Sequence, residues 1–278
     1  MLSTRVAIGT VLAVLVAMDC DLVAQRQPDT TAAFNRYIAQ AETRIDHDRS
    51  NPKTFLSLQS LPAGQQAEMV SRLRRGEAVI EKHGSTPDEV AGGLIHDWSG
   101  AVFIPGANVQ QLLGIVQDYD HLTRYYSPDV MQSRLVSAKG DDFHVSMRLR
   151  KHKIVTVVLD SEYEIHYGRI DAAHEYSISR STRVSEVEDP GGPKEHALPE
   201  SGDHGYMWRL NTYWEFEQAA DGVFVQCEAI SLTRDIPTGL AWVVGPFVNS
   251  IPRESLEFTL NATRAALTGK TGVTGKHD

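Results

Sequence analysis

From residue 130 to residue 236, apolar and polar positions alternate almost without interruption. Phe143, Val145, Met147 and Leu149 fall on one side of an extended chain and His144, Ser146, Arg148 and Arg150 on the other, the period of a half-buried antiparallel strand. Segments 154–167, 175–187, 206–218 and 223–236 repeat the pattern, and Asp221-Gly222 between the last two is a hairpin signal. Upstream, 76–82 and 93–105 predict two strands joined by a loop containing Pro87. Val109, Leu112, Leu113 and Val116 predict a short helix over 107–118, and Tyr125-Tyr126-Ser127-Pro128 ends a second helical turn. The chain closes with a helix over about 238–267, striped by Leu256, Leu260, Thr263 and Leu267, whose Pro246 and Pro252 predict a bend or break near its start.

The first 75 residues follow a different rule. Phe34, Tyr37, Ile38, Ala41 and Ile45 recur at helical spacing, Asn51-Pro52 breaks the run, and Met69, Val70 and Leu73 begin a second stripe. Residues 25–75 are therefore expected to form an amphipathic helical appendage packed on a main domain spanning 76–267, with 268–278 a loose tail. Before them, Arg5 precedes an apolar run over 6–18, followed by Leu22-Val23-Ala24 and polar Gln25. That is the layout of a secretory signal peptide over 1–24, and the run is shorter than the roughly 20 residues of a comfortable span. An exported protein, periplasmic or secreted, is the expectation. With Cys20 removed, Cys227 stands alone and no internal disulfide can form, so the core must carry the fold. Flanked in alternation by Val225 and Ala229, Cys227 reads as a small buried apolar side chain.

Composition narrows the class further. With 278 residues, 41% hydrophobic and 23% charged, the chain can bury a large core, which excludes collagen-like and disordered classes. Its net charge of −9 and lack of a long basic cluster make nucleic acid an unsuitable partner.

The order of elements, a strand, two short helices, a run of antiparallel strands and a long C-terminal helix, resembles the START-like, helix-grip superfamily. That superfamily includes polyketide cyclase/dehydrase-like and coenzyme Q-binding branches. The resemblance covers about 93–267. Its local pieces are Val102-Phe103-Ile104-Pro105 running into the helix at Ala107, Gln117-Asp118-Tyr119-Asp120 leading to Tyr125-Tyr126-Ser127-Pro128, and Ser231-Leu232-Thr233-Arg234-Asp235-Ile236-Pro237 feeding the last helix. It implies an α+β fold in which a curved antiparallel sheet wraps around the C-terminal helix, with an apolar cavity between them. A gripped helix cannot fill the concave space with its own side chains, so a pocket lined mainly by apolar groups is expected. On the helix, Trp242, Phe247 and Ile251 are candidates to line it. On the sheet the bulky candidates are Phe143, Met147 and Tyr213, although Tyr213 and its neighbour Trp214 cannot both point inward.

Polar strand positions add two candidates. Arg209, Asn211, Tyr213 and Glu215 share a face, and Glu228 lies on the next strand. If that face lines the cavity, Arg209 with Glu228 forms a buried pair able to orient a ligand carbonyl or carboxylate; the competing reading is an ion pair on the wet convex face. No His-Glu-x-x-His, Cys-x-x-Cys, Walker, Gly-x-Gly-x-x-Gly or Gly-x-Ser-x-Gly motif occurs, so no cofactor and no metal is expected. His144, His152, Glu162, Glu164 and His166 could cluster in adjoining strands, but their basic neighbours suggest a solvated face. The loop over 186–204 is long enough to be a lid or a disordered connection. Three functions follow: a non-catalytic binder or carrier of an apolar or amphipathic small molecule such as a lipid, quinone or polyketide; a cyclase/dehydratase using an inward Arg209, Tyr213, Glu228 or His166 as acid or base; or an interaction module docking a protein through the N-terminal helices or the loop near residue 190.

Overall fold

The computed structural model describes residues 28–153, 155–200, 202–235 and 241–269, with the side chains of the last segment described from Ser250 onward. The segment read as a signal peptide, 1–24, and nearly all of the tail lie outside the described residues. Two helices come first, α1 (Pro28–Arg49) and α2 (Ala63–Arg74), separated by a 3-10 turn at Ser57–Ser60. Strands β1 (Val79–Lys82), β2 (Asp88–Val90) and β3 (Gly93–Pro105) follow, then short helices α3 (Val109–Val116) and α4 (Thr123–Tyr126). The meander comprises β4 (Val130–Lys139), β5 (Asp142–His152), β6 (Thr156–Arg169), β7 (His174–Glu188), the two-residue β8 (His196–Ala197), β9 (Arg209–Ala219) and β10 (Gly222–Arg234). Helix α5 (Ala241–Thr268) ends the fold.

The sheet is antiparallel and runs β1-β3-β10-β9-β7-β6-β5-β4, with β2 continuing beside β3. Chain neighbours pair through the meander, and β3 closes against β10 over its full length, Gly222 opposite Pro105 and Arg234 opposite Gly93. The Asp221-Gly222 turn is where that closure is tightest. A Cβ at Gly222 would lie 2.3 Å from the Ile104 carbonyl oxygen, a backbone atom that cannot step aside, so only glycine lets β10 start against β3. Between β6 and β7 a register shift at Glu162/Tyr163 marks a bulge, which bends the sheet.

Two layers cover the two faces. On the inner face lies α5, whose Leu256, Leu260 and Thr263 are buried as the stripe predicts, joined by Leu112 of α3 and Tyr126 of α4. The helix runs on through Pro252 rather than breaking there. Asn108 caps α3: its side chain accepts from the Gln111 N–H while the Gln111 side chain accepts from the Asn108 N–H. On the outer face, the α1 stripe of Phe34, Ile38, Ala41 and Ile45 is buried against Ile95, Trp208, Tyr213, Ile230 and Leu232. Leu73 of α2, with Phe55, Leu56 and Leu58, packs on Val79, Phe103 and Phe224. The appendage is thus a third layer that dries the back of the sheet.

The strands depart from the sequence expectation at several points, β9 starting at Arg209 rather than at 206. The first predicted strand starts at Val79 rather than Gly76, and the Pro87 loop contributes β2. The long connection after β7 folds back as β8, pairing Val187 with Ala197 and Glu188 with His196. Glu186 organises the rest of that connection, accepting from the backbone N–H groups of His204 and Tyr206.

Candidate functional site

The grip between α5 and the inner face has a filled end and an open end. At the filled end, Gly100 of β3 removes the one side chain that would keep the helix away: a Cβ there would lie 2.6 Å from Leu260 Cδ1 and 3.3 Å from Leu256 Cδ2. Cys227 is buried opposite Gly100 as expected, and burial raises its thiol well above the ordinary range. Tyr126 and Thr263 hydroxyls meet at 2.9 Å, and those of Tyr119 and Tyr167 at 2.8 Å. Phe143 packs between Tyr119 and Tyr167, ring centroids 5.5 Å from each. Phe143 is half-buried and packs against this cluster of tyrosines.

Toward the other end of the strands the inner face changes character. The cross-strand row Trp98, Ala229, Thr212, Ser179 and Ile165 is followed by the row His96, Ser231, Leu210. The central strands β10, β9 and β7 thus present Ala229, Ser231, Thr212, Ser179 and Ser181, all small, while Trp98, Trp214, Leu210, Tyr163 and Met147 stand around them. Although these positions lie in the middle of a sheet and under a helix, Trp98, Ala229, Leu210, Thr212, Trp214 and Met147 are only half-buried. Small side chains on the central strands leave this floor half-buried, while the α5 side chains of 241–249 lie outside the described residues.

The polar atoms here are unusually short of partners. Trp98 Nε1, Ser133 Oγ and His96 Nδ1 are buried and make no hydrogen bond among the described residues. His96 is fully buried, and its Nε2 lies 3.1 Å from Thr233 Oγ1. Burial pushes its pKa down to about 4, so the imidazole is neutral at physiological pH. An apolar floor with a few unpaired polar atoms is the composition of a small-molecule site.

The candidates drawn from the sequence divide between the two faces. Met147 lies on the inner face, opposite Ser161 and Ser133. Ile251 is half-buried on α5, while the side chains of Trp242 and Phe247 lie outside the described residues. Tyr213 and Glu228 point the other way, and this corrects the expectation that they line the cavity. Tyr213 is fully buried beneath α1 and its hydroxyl donates to Glu42 at 2.9 Å; Trp214 is the inward neighbour. Glu228 is buried and takes a 2.5 Å bond from Arg44 of α1. Arg209 sits opposite Leu232, four residues from Glu228 along β10, and donates to the Trp208 carbonyl, so the supposed Arg209–Glu228 pair does not form on either face. Nor do the β5 and β6 histidines converge: His166 faces Asp142, His144 faces Glu162 and His152 faces Thr156. The floor residues His96, Trp98, Thr212, Ala229 and Ser231 escaped the sequence reading because small and isolated side chains carry no motif.

A strand, two short helices, an antiparallel meander and a long C-terminal helix laid in the face of the sheet are now all in place. The fold is the START-like helix grip. Among solved structures the chain is similar to a STAR-related lipid transfer protein from Xanthomonas axonopodis, with 19% identity over 69% of this chain and 98% of that one and a TM-score of 0.45. It is also similar to a START superfamily protein from Mycobacterium smegmatis (11% identity, 63% and 99% covered, TM-score 0.41) and to the Zhui aromatase/cyclase from Streptomyces sp. R1128 (13%, 65% and 98%, TM-score 0.40). No protein-family model and no curated protein sequence matches the chain.

Proposed function

We propose that the protein is an exported, non-catalytic binder or carrier of one apolar or amphipathic small molecule, of the lipid, quinone or polyketide kind, held between α5 and the inner face of the sheet. The observation that carries this is the half-buried floor of Trp98, Leu210, Thr212, Trp214 and Ala229 in the middle of the sheet. Burying that surface against a ligand gains about 25 cal/mol per Å² of apolar area. Export rests on the sequence pattern of residues 1–24.

A cyclase/dehydratase is less well supported, because the acids and bases named for it lie elsewhere. Tyr213 and Glu228 are spent on contacts with α1, and His166 is an exposed partner of Asp142. A docking role for the N-terminal helices also loses its motive, since their apolar stripes are buried on the sheet.

Titration with an apolar fluorescent dye tests the proposal. It should saturate at one dye per chain with a dissociation constant on the order of micromolar, and Trp98→Ala should weaken it at least fivefold. Absence of saturable binding, or equal affinity in the variant, would count against a site on this floor.

A further inference from the structure

A second cluster lies on the opposite face of the sheet, beneath α1. His83 follows β1, and its N–H donates to the Asp97 carbonyl at 3.1 Å, which sets it beside Asp97 of β3. Asp97 lies opposite Ile230, two residues along β10 from Glu228. One side-chain donor atom from each of His83, Asp97 and Glu228 lies within 4.8 Å of the other two. Both carboxylates are buried, 2% and 3% exposed, and two like charges this close in a dry interior need either a positive partner or a shared proton.

The hydrogen bonds around the cluster hold one oxygen of each carboxylate. The Tyr37 hydroxyl donates to Asp97 Oδ2 at 2.8 Å, and Arg44 binds Glu228 Oε1. Asp97 Oδ1 is buried and has no hydrogen-bond partner among the described residues, and Glu228 Oε2 lies 3.6 Å from His83 Nε2. Arg44 supplies a single positive charge for two carboxylates. Ligand atoms around a tetrahedral ion with bonds of about 2.0 Å sit roughly 3.3 Å apart, so modest side-chain movement would close the set.

We propose that His83, Asp97 and Glu228 form a zinc(II) site between α1 and the outer face of the sheet. One imidazole nitrogen with two carboxylate oxygens suits zinc(II), whereas calcium requires a cage of six or more oxygens that the cluster lacks. Water would complete the coordination from the His83 side, whose side chain is 28% exposed. Tyr37 and Arg44, both on α1, orient the two carboxylates from behind, so the metal would tie α1 to the sheet. The site is independent of the inner-face cavity.

The test is zinc titration of the full chain after chelator treatment and dialysis, read by competition with a chromophoric chelator, by metal content after gel filtration, and by melting temperature. One zinc per chain should be retained, and saturating zinc but not calcium should raise the melting temperature. His83→Ala, a change at a partly exposed turn that leaves the core intact, should weaken zinc at least a hundredfold. Tyr37→Phe should weaken it about tenfold, in the range of lost outer-sphere hydrogen bonds. No zinc retained by the wild type, or equal zinc affinity in His83→Ala, would overturn the site. A melting temperature that responds to pH but not to zinc would do the same, because the two carboxylates would then be balanced by a shared proton.

Discussion

Arg49→Met should destabilise the protein at pH 8 by about 1–2 kcal/mol more than at pH 5, because Glu215 without its partner must either stay buried as a bare charge or hold a proton that the unfolded chain releases. Arg49 is the last residue of α1 and is 4% exposed; it donates to Glu215 Oε1 at 3.0 Å and lies 4.0 Å above the Tyr176 ring. Methionine keeps most of the packing stem, so the loss isolates the charge. Burial pushes the Glu215 pKa up to about 7 despite the opposing pull of Arg49. The sign follows from proton uptake. Between the ordinary carboxylate value near 4.5 and about 7, the folded chain holds a proton on Glu215 that the unfolded chain releases, so this group makes stability fall as pH rises through that window. Without Arg49 the pull toward ionisation is gone and the window extends upward. Denaturant melts should therefore show a much smaller penalty for Arg49→Met at pH 5 than at pH 8, and Glu215→Gln should restore most of the loss. A penalty independent of pH, or no rescue, would mean that Arg49 acts through packing alone.

Filling the floor of the grip should abolish ligand binding while leaving the fold intact. Ala229 lies between Trp98 and Thr212 in register, on the inner face and only half-buried. Ala229→Phe would place a ring on the half-buried floor, and the melting temperature should move by only a few degrees if a ligand occupies that floor in the wild type. Dye affinity should fall at least thirtyfold. Tyr213→Phe is the matched control, since its hydroxyl reaches Glu42 on the outer face and dye affinity should not change. The reverse pattern, an intact Ala229→Phe and an impaired Tyr213→Phe, would show that the two faces are assigned the wrong way round.

How far these assignments could be read from the sequence depends on how each element is buried. The α5 stripe of Leu256, Leu260 and Thr263 was legible because one side of that helix meets a core and the other does not. The β5 alternation and the Asp221-Gly222 turn were legible for the same local reasons. In β3, β9 and β10 the period of two loses its meaning. Helix α1 dries their outer face, so Ile95, Tyr213, Ile230 and Leu232 are as buried as Val102, Phe216, Val225 and Cys227 on the inner one. With large side chains on both faces, nothing in β9 marks which side faces α5, and Arg209, Tyr213 and Glu228 were drawn toward the cavity together. The stripe of α1 showed that the helix packs, but not what it packs on. Asp97 and Glu228 are 131 residues apart and become neighbours only through the closure of β3 on β10, a pairing that no local pattern encodes.

The central claim, a small molecule held between α5 and the inner face, is tested most directly by native mass spectrometry. The protein would be purified without detergent from its own host, then mixed with lipid extract from the same cells. Denaturation should release a single apolar or amphipathic compound in one-to-one proportion, and Ala229→Phe should carry none. A wild-type mass that stays free of any adduct, both as purified and after lipid exposure, would contradict the claim and leave the floor of the grip as structure alone.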